Sequence, residues 1–239
     1  ISIQWLVGLS EHRKTLLSYR DGADNMNYRY NLECNCVRIE TVRPFFSSIH
    51  YGEKNNLFSY ENFYKPYYPG IDNYIRMQNR REQLLKEGKI TLEEIVSLRS
   101  LEGYLSSDKL PLPCQEELLL NVEKALKYNN YDLIFIDEYL YFNFEIIDNK
   151  VVCLELRLSD EMQEDRIRKM YIYLYSQTII DDFREERKYL SRKALKSITS
   201  SQLVELLLKN ISGGAEGIKG VFAKIRERER KLQELSSDW

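Results

Sequence analysis

The stretch Leu140-Tyr141-Phe142-Asn143-Phe144-Glu145-Ile146-Ile147-Asp148-Asn149-Lys150-Val151-Val152-Cys153-Leu154-Glu155-Leu156-Arg157-Leu158 decides the fold. On both sides of Asp148-Asn149-Lys150, residues alternate with the two-residue period of a strand. If those three residues make the turn, Ile147 pairs with Val151. The inward pairs are then Ile146 with Val152, Phe144 with Leu154, Phe142 with Leu156 and Leu140 with Leu158, all apolar. A two-residue turn slips the register by one and mixes Glu145 with Val152 and Glu155 with Phe142, so the hydrophobic pattern selects the three-residue turn. The other face carries Tyr139, Tyr141, Asn143, Glu145, Cys153, Glu155 and Arg157.

Upstream, Asn27 to Thr41 also alternates, and aromatic segments follow at 45–51 and 57–64. Residues 1–70 read as a β-rich lobe with a short helix near Ser10 to Tyr19. Residues 71–130 read as helical: a charged helix from Tyr74 to Lys86, then a capping box at Thr91-Leu92-Glu93-Glu94 opening a helix striped by Ile95, Leu98, Leu101 and Leu105. Beyond the break at Leu110-Pro111-Leu112-Pro113, a third helix is expected from Gln115 to Lys127.

Residues 131–160 form the hairpin unit, and 161–239 a helical C-terminal region. From Asp160 to about Lys196 charge pairing on both flanks favours one long helix, although Lys169 to Tyr175 is β-favouring by composition and apolar on all sides. Thr199 caps a further helix, Ser212 to Gly217 reads as a linker, and Ile218 to Leu235 closes as a charged helix. The expected class is α+β, with an antiparallel sheet of N-terminal strands plus hairpin 139–158, covered by helices on one side, and a long-helix C-terminal region.

Composition narrows the function classes. The 239 residues are 43% hydrophobic, and 35 Lys+Arg against 37 Asp+Glu leave a net charge of -2, which argues against a generic polyanion binder. Apolar runs are too short for the roughly 18–20 residues that cross a bilayer, so no membrane association is expected. Ile1 to Val7 has neither a basic leader nor a long apolar segment, and reads as the start of a trimmed chain, a processed product or an excised domain. Four cysteines, Cys34, Cys36, Cys114 and Cys153, are too scattered to staple such a chain, which points to a reducing, intracellular and cytoplasmic setting.

The polar face of the hairpin concentrates the available chemistry. Glu145 falls diagonal to Glu155, and two carboxylates on neighbouring strands can hold a hard divalent cation, with Asp132 or Asp137 as candidates for a third acid. Glu145 followed by Glu155-Leu156-Arg157 resembles part of the acid, then acid-x-Lys hairpin of the PD-(D/E)xK nucleases. The preceding Pro-Asp is absent, and Arg157 stands in place of the Lys, a side chain that does not give up its proton. The plainer reading is a solvated or partner-covered face.

Arg184, Arg187, Lys188, Arg192, Lys193 and Lys196 form a basic stripe beside Tyr189 that could track nucleic-acid phosphates, but Asp181, Asp182, Glu185 and Glu186 are interleaved and expected to pair with many of them, so a solvated helix face is favoured over a nucleic-acid partner. Cys34-x-Cys36 reads as buried apolar packing, His12 and His50 offer no triad, and the glycines from Gly213 to Gly220 lack a nucleotide-loop ending. No cofactor is expected. In the C-terminal helix, Val221, Phe222, Ile225, Leu232 and Leu235 form a narrow apolar stripe that would be ordered by docking on a second copy or another protein. The leading expectation is thus a non-enzymatic interaction or assembly protein, or a regulatory subunit. The rival is a metal-dependent nuclease-like phosphodiesterase or nucleic-acid-processing subunit using Glu145, Glu155 and Arg157.

Near-neutral charge and interleaved acids imply that the chain does not bind double-stranded DNA tightly at physiological salt. Sub-micromolar affinity with a steep salt dependence in a titration would contradict this, because the slope counts phosphate contacts.

Overall fold

The computed structural model describes residues 36–40, 80–106, 112–140, 142–158 and 168–237. The described chain is α+β, built on one six-stranded sheet. Its strands are β1 (Cys36–Glu40), β2 (Leu92–Ser97), β3 (Tyr131–Ile136), β4 (Asn143–Ile147), β5 (Val151–Leu158) and β6 (Arg168–Leu174), in the order β3-β2-β1-β4-β5-β6. The helices are α1 (Leu98–Leu105), α2 (Leu112–Ala125), α3 (Gln177–Arg192), α4 (Ser200–Asn210) and α5 (Gly214–Ser237), with residues 80–86 also helical. Apart from Cys36–Glu40, the expected N-terminal lobe, with His12, His50 and Cys34, lies outside the described residues.

The hairpin register is the one its apolar pattern demands. Ile147 pairs with Val151, Ile146 with Val152 and Phe144 with Leu154. The Lys150 N–H closes the turn on the Ile147 carbonyl at 2.9 Å, and Asp148 and Asn149 take positive φ of 49° and 57°. Asp and Asn are the non-glycine residues that enter this region at least cost.

Several expectations are corrected. The sheet is mixed rather than antiparallel: β1 runs parallel to β2 and antiparallel to β4, and β3 runs parallel to β2. Helices cover both faces, not one. Leu92, Val96, Leu133, Phe135 and Ile147 meet α1, α2, α4 and α5 on the first face. Ile95, Phe144, Ile146, Val152 and Leu154 meet Ile179, Ile180 and Phe183 of α3 on the second.

The box at Thr91 to Glu94 does not cap a helix. Those residues enter β2, which uses both faces of a doubly covered sheet, and the helix starts one strand later at Leu98 with Ser97 as its cap. Leu98, Leu101 and Leu105 do form the buried stripe of that helix, while Ile95 belongs to the sheet.

Arg168–Leu174 is likewise a strand and not part of a long helix. Tyr173 faces the first core, and Ile172 and Leu174 the second. A sequence apolar all round is what a strand covered on both faces requires. The run Tyr131 to Ile136, between Asn129-Asn130 and Asp137, carries the same signal and forms β3.

The expected linker at 212–217 is a tight corner. Ile211–Gly213 makes a single 3₁₀ turn, Gly214 turns the chain at φ 60°, and at Gly217 a β-carbon would sit 2.4 Å from the Asn210 carbonyl oxygen. Only glycine allows that approach. Thr199 caps α4 as read, and the cap is a reciprocal box in which Thr199 and Gln202 bond each other's backbone.

The chain between β3 and β4, described at residues 137–140 and 142, passes the carboxyl ends of β2 and β1. Ser97 Oγ ties this connection down by donating to the Glu138 carbonyl at 2.7 Å. On the other side of the sheet, Phe144 is stacked edge-on against Phe183 at 4.7 Å between centroids. Phe144→Ala is therefore expected to cost about 3–5 kcal/mol in a denaturant titration, as for other large-to-small changes in packed cores.

Candidate functional site

Strand pairing brings a line of polar residues onto the first face. Glu145 lies opposite Cys153 and Asn143 opposite Glu155, as the register predicts. This face is not solvated. Glu145 and Glu155 are each 4% exposed and Asn143 is buried with them. Asn143 Nδ2 donates to Glu155 Oε1 at 3.4 Å.

A third acid shares the face, and it is neither of the two foreseen. Asp132 pairs across from Glu93 on the second face, and Asp137 lies beyond the end of β3, bonded to Arg99 and Arg226. The third acid is Glu94 on β2, fully buried, with the Tyr131 hydroxyl donating to Oε2 at 2.6 Å. Backbone register sets position 38 of β1 between Glu94 and Glu145. The Arg157 backbone pairs with Lys169, and its side chain lies outside the described part. Among the described residues no three of His, Cys, Asp or Glu are placed to share a metal ion. Burying a carboxylate costs several kcal/mol unless hydrogen bonds or opposite charge offset it, so the acids and their neighbours act as one unit.

A second polar constellation lies on the opposite face at the amino ends of β2 and β3, around a cleft of about 330 Å³ that reaches the turn at Asp148 and Asn149. Arg187 on α3 grips Glu93 with two bonds, one at 2.8 Å from Nε to Oε1 and one from Nη2 to Oε2. That grip raises the Arg187 guanidinium above its ordinary value. Asp132 is pushed above the usual carboxylate range, by partial burial first and by Glu93 second, with the Leu133 backbone and Arg187 acting the other way. Next along α3, Arg184 donates to Asn149 Oδ1 at 3.2 Å and to Asp181 Oδ1 at 2.7 Å. The helix is thereby pinned to the sheet and to the hairpin turn.

The basic stripe is divided by these contacts. Its first part is neutralised: Arg184 by Asp181, Arg187 by Glu93, and Lys188 by Glu185 at 2.7 Å. Lys193 reaches Glu138 at 3.3 Å, while no carboxylate among the described residues lies within ion-pair distance of Arg192 or Lys196. The two acids interleaved on α3 were legible in the sequence; Glu93 and Glu138, which come from the sheet and its connection, were not.

The stripe of the C-terminal helix is also divided, which corrects its assignment as one docking surface. Val221, Phe222 and Ile225 are buried in the chain's own first core, beside Ile218. Glu229 accepts the Ser197 N–H at 2.5 Å and ends this packed half. Leu232 and Leu235 remain 40% and 66% exposed. Among the described residues no helix is long and apolar enough to cross a membrane.

No family model and no curated protein matches the chain. Among solved structures, the archaeal chromatin protein TrmBL2, described as showing a novel mode of DNA binding, is similar over 80% of this chain and 59% of its own, at 10% identity and a TM-score of 0.38. NucT from Helicobacter pylori is similar over 75% of this chain and 96% of its own, at 10% identity and a TM-score of 0.39. Likeness at that level decides neither fold nor function.

The raised Asp132 has a measurable consequence. Its folded-state carboxyl holds a proton more tightly than the unfolded chain does, so stability falls as pH rises from about 4, the ordinary carboxylate value, through the raised one. Above that window the loss is constant. Asp132→Asn should thus stabilise the chain at pH 7, and the gain should vanish below about pH 4. Denaturant titrations of both proteins at neutral and acid pH measure it; an equal gain at both would mean that charge is not the cause.

Proposed function

We propose that this chain is a non-enzymatic intracellular interaction domain that self-associates through the end of α5. The observation that carries this reading is that α5 continues to Ser237 although every residue from Arg230 to Leu235 is exposed. Arg230 bonds to Glu227 and Glu234, and Lys231 to Glu227, which supports the helix locally. Leu232 and Leu235, three residues apart, form a small apolar patch with nothing in the described chain to cover it. Bases at 228, 230 and 231 precede the patch and Glu234 lies within it, so two helices laid antiparallel bring the bases of one against the acid of the other. Such a patch is small and its association correspondingly weak.

A second reading rests on a different observation, the burial of Glu145 and Glu155 on one face of the paired strands β4 and β5. Desolvated carboxylates on neighbouring strands are the groups a metal-dependent phosphodiesterase uses. Cleavage of an oligonucleotide that requires Mg²⁺ or Mn²⁺ and is lost in Glu155→Gln would establish it over the first.

For the interaction reading, sedimentation across a concentration series should show weak dimerisation. Leu232→Glu combined with Leu235→Glu should abolish it without lowering the melting temperature, because both side chains are exposed. Ile225→Asp, by contrast, should unfold the chain. A strict monomer at all concentrations would overturn the proposal.

A further inference from the structure

The carboxyl end of the parallel strands carries two exposed tyrosines, each with a cation over its ring. Tyr139, on the connection after β3, is 63% exposed, and the Arg99 guanidinium lies 5.1 Å from its centroid. Tyr189, on α3, is 48% exposed, and Lys193 Nζ lies 5.2 Å from its centroid. The two belong to one patch. Ile136, at the end of β3, bridges to Ala194, which sets the 137–139 segment beside the end of α3, and Lys193 reaches across to Glu138, the neighbour of Tyr139.

Charge at this patch is not balanced. Glu102, Asp137 and Glu138 are met by Arg99, Lys193 and Arg226, and Asp137 is shared between Arg99 and Arg226. Arg192 and Lys196 stand beyond these pairs, both exposed and in no ion pair among the described residues, so two cations are left over, with Glu186 and Glu229 the other acids nearby. Arg192 lies three residues after Tyr189 on the same side of α3, and Lys193 is the residue that ends the helix.

We propose that this patch binds single-stranded nucleic acid, with bases stacking on Tyr139 and Tyr189 and backbone phosphates meeting Arg192 and Lys196. An aromatic face is open only to a base that is not already stacked in a duplex, so the patch selects single strands over double-stranded DNA. A cation on one side of each ring leaves the other side for a base and adds to the local positive potential. Two surplus cations can neutralise only a few phosphates, so salt dependence is shallow. The proposal goes beyond self-association through residues 230–235, which follow Arg226 and Glu229 along α5 but supply no residue to this patch, and the variants below separate the two.

The test is fluorescence anisotropy of the full chain with labelled 20-residue oligothymidylate and oligouridylate, at low and physiological salt. Binding is expected, with a log-log salt slope between about -1 and -3. Tyr139→Ala and Tyr189→Ala should each weaken it roughly tenfold, and Arg192→Glu with Lys196→Glu should flatten the slope. Thermal melts should stay unchanged for these exposed positions, and Leu232→Glu should leave binding intact. No binding at low salt, binding that both tyrosine variants retain, equal affinity for a duplex, or displacement by polyglutamate at equal charge would each overturn the proposal. The last outcome would point to an acidic protein as the partner.

Discussion

Strand β1 holds hydrogen bonds on both sides, to β2 in the parallel sense and to β4 in the antiparallel sense. In the described sheet, the parallel half, β3-β2, and the antiparallel half, β4-β5-β6, are hydrogen-bonded to each other through these five residues. Parallel strands need crossovers, and α1 and α2 supply the one between β2 and β3. Antiparallel strands need only turns, and Asp148-Asn149-Lys150 supplies one. Joining the two kinds at β1 forces the 137–142 connection across the carboxyl end of the sheet. The exposed tyrosine rim stands there as a result.

The same junction governs the buried charge. A strand with helices over both of its faces has no solvated side, so the glutamates at 94, 145 and 155 are carried inside by the pairing itself. Their environment comes from strands far apart in sequence: Tyr131 donates to Glu94, Asn143 to Glu155, and position 38 is set between Glu94 and Glu145. On the second face the arrangement is open to solvent at its edge, and Glu93 is gripped by a helix that arrives about ninety residues later. One face confines its acids, while the other uses an acid to dock a helix.

Both surfaces proposed for binding are remainders of this packing. The first half of α5 and the first part of the α3 stripe are engaged inside the chain by the first core and by Glu93. The end of α5 and the end of α3 are left over, the one apolar with flanking charge and the other aromatic with surplus cations. Helices that run past the body they pack on present their last turns to other molecules.

What the sequence by itself determined was local. The hairpin register follows from a two-residue period, because a slip by one turns every apolar side chain to the wrong face. The Thr199 cap and the stripe Leu98-Leu101-Leu105 follow from spacing along one helix, and the pairing of Arg184 and Lys188 with Asp181 and Glu185 from charges three residues apart. The tertiary structure decided whatever depended on which elements meet. Leu92 to Ser97 and Arg168 to Leu174 had to be strands because both faces of the sheet are covered there, a condition that no local pattern distinguishes from a helix buried all round. Glu94 read as a capping residue and is a buried carboxylate, because its partner Tyr131 comes from the next strand. Tyr139, Arg99, Tyr189 and Lys193 form a single patch only because 137–142 crosses the sheet and Ile136 bridges to Ala194. Pattern along the chain reports periodicity; burial on two faces and contact between distant segments arise only when the strands are ordered.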